Sequence, residues 1–434
     1  MIFCLLFSIF VTGLFVYNKL IGSMRDHRLI KAIISVTFSF SILGILYPAF
    51  LFLGCNIVLF YIFLIGVNMY MIISMYKKNL IGISNYTNID KLAVVFALFC
   101  LIGTVKFWMF SNRWGDWDAW AVWNLHALFL IDIESWTNLF SDKIAWTHPD
   151  YPLMLPSVVA LFWASIGDQI AEIPALVSYF SFLLLIGLLY SSFEEGYSRI
   201  IGLFSIIILL MDNRFMANAA SQQADLLISL MILLSVVMRN KKIEILPLWY
   251  FMMGFFAALP MWIKNEGVVF FIIYSLIIFY RHRKYAANLV SYVFGVLPVA
   301  LVLFCFKFFY ATTNDITGSL NINVIDKIIS IDRYEILGNY LYDVLIQNFP
   351  VALLLIVMAM VLRPRSIISD NSLTILLTFS SYLFVYIITP NELVWHLSTS
   401  LDRLIYHLYP AIIFLSCMTI VSVCERECWV LKEK

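Results

Sequence analysis

Acidic side chains at the edges of apolar stretches are the residues of this sequence best suited to chemistry. Asp116 and Asp118 lie in the segment GDWDAWAVW, and Asp225 ends the segment QQAD at the mouth of another apolar stretch. Asp118 lies between Trp117 and Trp120, and a carboxylate in such surroundings is desolvated, which raises its pKa toward the range of a general base. Asp118 is therefore the first candidate for a catalytic base, Asp116 is the alternative, and Asp225 is a further catalytic candidate.

Two of these acids also have a structural interpretation. Asp118 and Asp225 each lie at the start of a predicted helix, where a carboxylate accepts hydrogen bonds from backbone N–H groups as an N-cap. An ionisable residue at membrane depth, however, indicates a functional site. The sequence leaves both interpretations open for both residues.

Three cationic side chains lie near the ends of other predicted spans. Lys264 lies in the turn KNEG, and His396 and Arg403 lie in the segment from Pro390 to Leu404. Lysine is a point charge for phosphate, and the planar guanidinium of arginine binds phosphate with two N–H groups. These three residues are the candidates for binding a phosphate group. A plain hairpin turn for Lys264 and an interfacial anchor for Arg403 are the structural alternatives.

Aromatic and polar side chains suited to substrate binding lie in the same predicted loops. Trp114, Trp117, Trp120 and Trp123 recur every three residues, a spacing typical of an aromatic belt at a membrane interface, although indole rings also stack on the faces of sugars. The candidates for substrate binding are Trp117, Trp120, His148, Asp150, Tyr151 and Glu266. Three of these lie in the element HPDYP, which is also explained by prolines that cap a following helix.

The composition of the chain defines its class. The chain has 434 residues, of which 62% are apolar and 13% are charged, and its net charge is +1. A soluble domain averages about 45–50% apolar and about 25% charged residues. The composition therefore excludes a water-soluble globule, a disordered chain and a disulfide scaffold, and the small net charge excludes a nucleic-acid binder. The long, continuous apolar runs predict an all-α polytopic membrane protein.

Apolar segments recur along the whole chain. A spanning helix needs about 20 predominantly apolar residues. Segments close to this length lie at 2–17, 32–53, 56–75, 92–110, 174–190, 200–218, 222–238, 246–261, 267–280, 288–309, 346–362, 372–389 and 404–423. Because the segments at 2–17 and 267–280 are short, we expect about 11–13 transmembrane helices.

Lysine and arginine indicate the orientation of these spans. Nineteen of them lie in one set of alternating connections and seven in the other. The positive-inside rule places the richer set and the C-terminus in the cytoplasm. Residues 154–165 are predicted to form a helix in the outer interface, because a crossing there would invert every later loop. Residues 111–173 then form a long first external loop with interfacial helices, and residues 310–345 form a second external loop.

The order of these motifs resembles the GT-C superfamily of membrane glycosyltransferases. The resemblance covers residues 91–423 and depends on a span, a long external loop that opens with GDWDAWAVW, the element HPDYP and the later acid of QQAD. The KNEG turn and the segment TSLDRL are similar to stretches of bacterial members. The resemblance implies a GT-C-like bundle at 91–423, after an N-terminal three-helix segment at 1–90 and before a cytoplasmic tail at 424–434. The three early spans depart from the family pattern, in which the large loop follows the first span.

The resemblance also implies a chemistry. The donor would be a sugar linked to a polyprenyl phosphate, and transfer to an envelope glycan or lipid would invert the anomeric carbon on the outer face. Asp118 matches the first-loop catalytic acid of the family, and Asp225 matches a second-loop acid that positions the acceptor or ligates a metal. The cofactor is left open, and a divalent cation such as Mg²⁺ or Mn²⁺ would be bound through Asp118, Asp225 and His148.

The size and layout of the chain are similar to serotype-converting glucosyltransferases that decorate O-antigen. We therefore expect a bacterial inner-membrane enzyme whose partners are an undecaprenyl-type donor, an O-antigen or similar polysaccharide and membrane lipids. One alternative is a transporter or flippase of a lipid-linked sugar. Another is an O-antigen ligase or polymerase, but the acidic first loop disfavours it, since loops of that class tend to be rich in Arg and His.

Overall fold

The computed structural model describes residues 1–20, 28–77, 91–193, 198–241, 246–311 and 324–432. Within these ranges every regular element is helical and no strand is present. Eight helices are long and apolar enough to cross a membrane. The prediction of an all-α polytopic membrane protein is confirmed.

The N-terminal part of the chain contains four long helices and the large predicted loop. The long helices are α1 (Ile2–Leu20), α2 (Arg28–Phe52), α3 (Ile57–Lys77) and α4 (Lys91–Phe110). The loop contains a π-helical turn (Ala119–Trp123), α5 (Asn124–Leu130), two 3-10 turns (Trp136–Phe140 and Asp142–Thr147) and α6 (Met154–Ile166). The expected loop helix at 154–165 is thus present. It is covered by protein on most sides, because an all-round apolar helix must be buried.

The remainder of the chain contains twelve helices within the described ranges. They are α7 (Glu172–Ser191), α8 (Ser198–Met211), α9 (Asn213–Ala220), α10 (Asp225–Asn240), α11 (Leu246–Ile263), α12 (Gly267–His282), α13 (Ala286–Cys305), α14 (Val324–Ile329), α15 (Ile331–Asn348), α16 (Pro350–Leu362), α17 (Asp370–Ile388) and α18 (Leu393–Lys432). A π-helical turn (Phe306–Tyr310) extends α13, and a 3-10 turn (Pro364–Ile368) precedes α17. The predicted loop 310–345 is therefore largely helical from residue 324 onward, and residues 312–323 lie outside the described ranges.

Two predicted spans are broken in the structure. The segment 200–218 divides into α8 and α9, which meet at 79°, because the Asp212 carboxylate accepts hydrogen bonds from the N–H groups of Arg214 and Phe215 and starts a new helix. The Lys106 Nζ atom donates to Leu210 O, a carbonyl in the last turn of α8, at 2.6 Å. The segment 346–362 divides at Pro350 into α15 and α16, which meet at 95°.

The number of spans is accordingly lower than expected among the described residues. Eight helices pass a test of length and apolarity, or up to ten if each bent pair counts as one span. Three predicted spans form α10, α11 and α12, which have only 16 to 18 residues. The polar turn that contains Lys264 ends α11 and starts α12, which keeps both helices short.

The core of the bundle surrounds α10. Every residue of this helix from Asp225 to Met238 is buried, against α7, α9, α11 and α18. Helices α11 and α13 cross closely, since a Cβ atom at Gly254 would lie 2.1 Å from Tyr292 O and one at Gly295 would lie 1.9 Å from Phe251 O. Glycine therefore permits this crossing, as is common between membrane helices.

Helix α2 belongs to the same core, although it comes from the segment predicted to precede the main module. It packs against α6, α7 and α13. The Tyr47 hydroxyl donates to Leu130 O at 2.6 Å, and the Trp262 indole donates to Gly44 O at 3.0 Å. Helix α2 thus supports both the large loop and the end of α11.

The two ends of α10 carry different polar groups. Asp225 begins the helix, and Arg239 near the other end donates to Asp370 O at 3.0 Å and to Thr374 Oγ1 at 2.8 Å. The Arg281 Nε atom lies 2.8 Å from Asp370 Oδ1 at that same end. Asp225, which is predicted on the outer side of the membrane, and Arg239, which is predicted on the cytoplasmic side, therefore lie at opposite ends of α10.

Candidate functional site

A chain of charged side chains joins four segments that are far apart in the sequence. Arg403 donates through Nε to Asp225 Oδ2 at 2.8 Å and through Nη1 to Asp118 Oδ2 at 2.6 Å. Lys264 Nζ and His407 Nε2 lie 2.8 and 2.7 Å from the other oxygen of Asp225. Asp225 therefore holds three donors, and one of them bridges to Asp118.

Helix geometry explains how these groups meet. Asp225 lies in the first turn of α10, where the positive end of the helix dipole favours a carboxylate. Arg403 and His407 are four residues apart on α18, so they lie on the same face. Lys264 follows the last residue of α11. At one end of the bundle, the end of α11 and one face of α18 thus meet the buried carboxylate at the start of α10.

Asp118 does not act as the helix cap that its position suggested. It directly precedes the π-helical turn Ala119–Trp123, but its side chain makes no capping hydrogen bond. Its carboxylate is instead bound by Arg403, and its side chain is 34% exposed. Asp225 is not a cap either, because its oxygens accept hydrogen bonds from the side chains of Lys264, Arg403 and His407. The capping interpretation is therefore wrong for both acids.

The backbone before Asp118 docks against the segment before Asp225. Gly115 has φ +73°, and a Cβ atom there would lie 2.6 Å from Ser221 O, so only glycine fits without strain. The Asp116 N–H donates to Ser221 O at 3.2 Å, and Gln222, itself at φ +63°, donates through Nε2 to Asn112 O at 2.6 Å. These contacts bring the two acidic motifs side by side.

Asp116 occupies a different environment from Asp118. Its side chain lies outside the ion-paired chain, and its residue is exposed as a whole. Partial burial of the carboxylate raises the pKa of Asp116, and a hydrogen bond from Asn112 and the charge of Arg403 oppose this rise. The structure therefore separates the two candidate bases by their partners.

A pocket opens at the carboxylate of Asp118. Its lining consists of Trp117, Asp118, Val122, Trp123, Trp146, His148 and Tyr151. The Tyr151 ring lies between Trp123 and His148, with ring centroids 5.6 and 5.0 Å apart and nearly parallel planes. Among the described residues, the buried indole N–H of Trp123 has no hydrogen-bond partner. The pocket thus combines aromatic walls with one carboxylate.

The remaining tryptophan candidate lies at the rim. Trp120 packs edge to face on Trp117, with ring centroids 4.5 Å apart, and it does not line the pocket. Both rings are exposed, at 44% and 63%.

Burial raises the pKa of Tyr151 well above its ordinary value, so its phenol stays protonated.

Asp150 connects the large loop to the turn after α11. Asn265 donates to Asp150 Oδ2 at 2.9 Å and accepts from Lys307 at 3.0 Å, and Lys307 also donates to the Asp150 carbonyl. Asp150 is buried and does not line the pocket. It therefore fixes the position of the neighbouring Tyr151 ring.

Glu266 and His396 lie beside the charged chain but outside the pocket lining. The Glu266 carboxylate is 3.6 Å from Lys264 Nζ. Burial is the largest single influence and would raise the pKa of Glu266, but the charge of Lys264, the nearby His407 and a backbone hydrogen bond together hold that pKa below its ordinary value. His396 lies on the face of α18 that carries Arg403, two turns earlier, and its Nδ1 atom is 2.8 Å from Thr389 Oγ1. Of the three phosphate candidates, Lys264 and Arg403 both contact Asp225, whereas His396 contacts Thr389 instead.

The residues considered for a divalent cation do not form a metal site. Within the described part of the chain, no group of three or more His, Cys, Asp and Glu side chains is placed to hold a metal ion. A guanidinium lies between Asp118 and Asp225, where a bound cation would have to lie. Because like charges repel, Asp118, Asp225 and His148 do not fit a divalent cation in this arrangement.

Comparisons with known proteins add no family assignment. No family model matches the chain, and neither a curated protein nor a solved structure is significantly similar to it. The case for a function therefore comes from the side chains that the fold brings together at Asp118.

Sequence reasoning missed three residues of this site. His407 follows Arg403 by one helical turn, so the helical period of the segment DRLIYHL could have indicated it. Trp146 lines the pocket two residues before His148, but it lies outside the three-residue tryptophan repeat. Asn265 bridges Asp150 and Lys307, and no local pattern distinguishes it from an ordinary turn residue.

Proposed function

We propose that this chain is an inverting membrane glycosyltransferase that moves a sugar from a polyprenyl-phosphate carrier to an envelope glycan. The observation that carries the proposal is the carboxylate of Asp118, which borders an aromatic pocket and is bound by the guanidinium of Arg403. A general base beside a phosphate-binding cation is the pair of groups that such a transfer needs.

The reaction proceeds by a single displacement. Asp118 accepts the proton of an acceptor hydroxyl while its oxygen attacks the anomeric carbon of the donor sugar from the face opposite the phosphate. The bond between the anomeric carbon and the phosphate oxygen breaks, and its electron pair leaves with the lipid phosphate. Arg403 stabilises the charge of this leaving group, and Lys264 adds positive charge nearby.

The aromatic walls support a sugar as the ligand. The rings of Trp117 and Trp146 are exposed, and the stacked rings of Trp123, Tyr151 and His148 form the other wall. Flat aromatic faces suit the apolar C–H faces of a pyranose ring.

The cellular setting belongs to the proposal as well. The resemblance in size and layout to serotype-converting glucosyltransferases supports a bacterial inner membrane. The excess of Lys and Arg in one set of connections favours an orientation with the Asp118 end facing the periplasm and the C-terminus in the cytoplasm. The donor would then be an undecaprenyl-phosphate sugar, and the acceptor an O-antigen unit or a similar polysaccharide.

The test is a deletion of the gene in its host, followed by complementation. The complementing genes encode the wild type, Asp118→Asn and, as a matched control, Glu134→Gln, an exposed acid of the same loop outside the pocket. Mass spectrometry of the envelope glycans is expected to show a hexose-like mass restored by the wild type and by Glu134→Gln only. Restoration by Asp118→Asn would remove Asp118 as the base, and unchanged glycans in the deletion strain would contradict the transferase.

One observation favours a second function, a transporter of lipid-linked sugar. Asp225, Lys264 and His407 form a buried charged cluster, and such clusters occur on ion pathways of transporters. A transporter moves the lipid-linked sugar unchanged, whereas a transferase consumes it. Incubation of the purified protein with donor and acceptor in proteoliposomes separates the two, because only a transferase releases free lipid phosphate.

A further inference from the structure

The two carboxylates that bind Arg403 differ in how firmly they are held. Asp225 has a fully buried side chain, and both of its oxygens accept hydrogen bonds, from Arg403, Lys264 and His407. Asp118 is 34% exposed, borders the pocket and is bound by one N–H group of Arg403. Arg403 therefore has a fixed end at Asp225 and an accessible end at Asp118.

This asymmetry decides which contact can exchange. Separation of a buried ion pair leaves an uncompensated charge in the interior, which is strongly unfavourable. Separation of a partly exposed pair costs little, because water and other ligands replace the lost partner. A ligand that enters the pocket will therefore displace Asp118 from Arg403 and leave the contact with Asp225 in place.

The chemistry of the guanidinium indicates the ligand. Arginine has five N–H donors in a planar fork, and Nε and Nη1 supply the contacts to the two carboxylates. Phosphate oxygens match this fork, and the phosphodiester of a lipid-linked sugar carries one negative charge, as a carboxylate does. An anionic phosphate is thus the group best able to replace Asp118.

We propose that Arg403 is a phosphate-binding residue with two successive partners at its accessible end. It holds Asp118 until a phosphate group binds, and it then transfers its Nη1 donor to the phosphate while Nε stays on Asp225. Asp118 is released as a proton acceptor only at that point, so donor binding precedes base activation. This inference rests on the proposed function, since the phosphate is that of the lipid-linked donor.

The inference is tested by the affinity of the purified protein for farnesyl phosphate, with farnesol and inorganic phosphate as comparison ligands. Because Asp118 competes with the phosphate for Arg403, Asp118→Asn is expected to bind farnesyl phosphate about fivefold more tightly than the wild type, which is the upper end of the contribution of a partly exposed ion pair. A purely structural role of Asp118 predicts unchanged or weaker binding. Arg403→Lys is expected to weaken binding, since lysine lacks the planar fork.

Glu134→Gln provides the matched control, because it removes the same charge from an exposed acid of the same loop that lies outside the pocket and is not an ion-pair partner of Arg403 within the described residues. Its affinity for farnesyl phosphate is expected to equal that of the wild type. Equal tightening in both variants would indicate a general field effect and overturn the exchange. Unchanged affinity in Asp118→Asn, with loss in Arg403→Lys, would also overturn the exchange but retain the phosphate donor.

The comparison ligands separate the remaining outcomes. If inorganic phosphate alone shows the tightening in Asp118→Asn and farnesyl phosphate does not, the exchanging anion is a free phosphate, and the lipid-linked donor and this inference both fail. If farnesol binds every variant as well as farnesyl phosphate, the phosphate makes no contact with Arg403, and the exchange is overturned. If no variant binds farnesyl phosphate, the inference and the donor class of the proposed function fail together.

Discussion

The Nε2 atom of His407 lies 2.7 Å from Oδ1 of Asp225, and both side chains are fully buried. Lys264 binds the same oxygen, and Arg403 binds the other one. Because His407 and Arg403 are one turn apart, the two contacts fix the rotation of α18 relative to α10. The carboxylate of Asp225 is therefore the point at which three helices are aligned.

This arrangement predicts a large difference between two substitutions of the same chemical kind. Asp225→Asn leaves Lys264 and Arg403 without their buried counter-charge, and it should lower the free energy of unfolding by about 3–5 kcal/mol. Asp118→Asn removes a partly exposed pair, and it should cost no more than about 1 kcal/mol. Thermal unfolding of both variants in detergent measures the difference. Similar midpoints for both would contradict the fixed and accessible ends of Arg403.

The docking of the two acidic motifs predicts a strong effect at Gly115. Gly115→Ala introduces a Cβ atom 2.6 Å from Ser221 O at φ +73°, and it should destabilise the protein by about 2 kcal/mol or more. Gly338→Ala is the matched control, because that glycine lies in α15 with nothing within 4 Å of the added Cβ atom. It should be neutral or stabilising by up to about 1 kcal/mol. Unfolding midpoints that do not differ would show that the docking contact carries no stability.

The buried imidazole of His126 predicts loss of stability at mildly acidic pH. Its Nε2 atom lies 3.2 Å from Thr147 Oγ1, and burial lowers the pKa of His126 from 6.5 to about 3. The unfolded chain takes up a proton as the pH falls through 6.5, whereas the folded chain does not until about pH 3. The contribution is thus complete above pH 6.5 and falls by about 1.4 kcal/mol at pH 5.5.

The measurement compares unfolding midpoints at pH 7.5 and 5.5 for the wild type and His126→Gln. Glutamine places a polar nitrogen near the position of Nε2 but does not titrate. The variant should therefore lose less stability on acidification than the wild type, whatever its stability at pH 7.5. An equal loss in both proteins would assign the acid sensitivity to other groups.

The aromatic pocket predicts a selective effect of tryptophan removal. Trp146 and Trp114 have nearly equal exposure, 56% and 57%, but only Trp146 lines the pocket at Asp118. If the pocket binds a sugar ring, Trp146→Ala should raise the KM for the sugar-bearing substrate about tenfold, equivalent to ~1.4 kcal/mol of lost contact. Trp114→Ala should leave this KM within a factor of two, on the order of the ±0.5 kcal/mol typical of surface changes. Steady-state kinetics with purified protein provides the comparison, and equal effects would mean that the pocket is not the sugar site.

The sequence predicted the helical class and most helix positions because long apolar runs have one stable arrangement in lipid. The sequence did not predict the break at Asp212 or the bend at Pro350. The mean apolarity of a long window conceals a single capping carboxylate or a single proline. Residue type and position near span ends were enough to indicate four candidate site residues: Asp118, Asp225, Lys264 and Arg403.

Their pairing was beyond the reach of the sequence. The ion pair between Asp118 and Arg403 joins residues 285 positions apart, and the docking of Gln222 on Asn112 joins residues 110 apart. Such contacts depend on how α4, α10 and α18 pack, which local patterns do not encode. For the same reason a metal site through Asp118 and Asp225 was a reasonable hypothesis until the guanidinium between them was located.

Helix α2 gives the early part of the chain a further role. It donates from Tyr47 to the end of α5 and accepts at Gly44 from Trp262, and Met154 of α6 lies directly against Gly44. A shortened chain that began at Lys91 would lose the inner wall on which the loop helices rest. Helix α2 thus supports the loop helices that carry the pocket, and any chimaera that exchanges it would have to reproduce its surface.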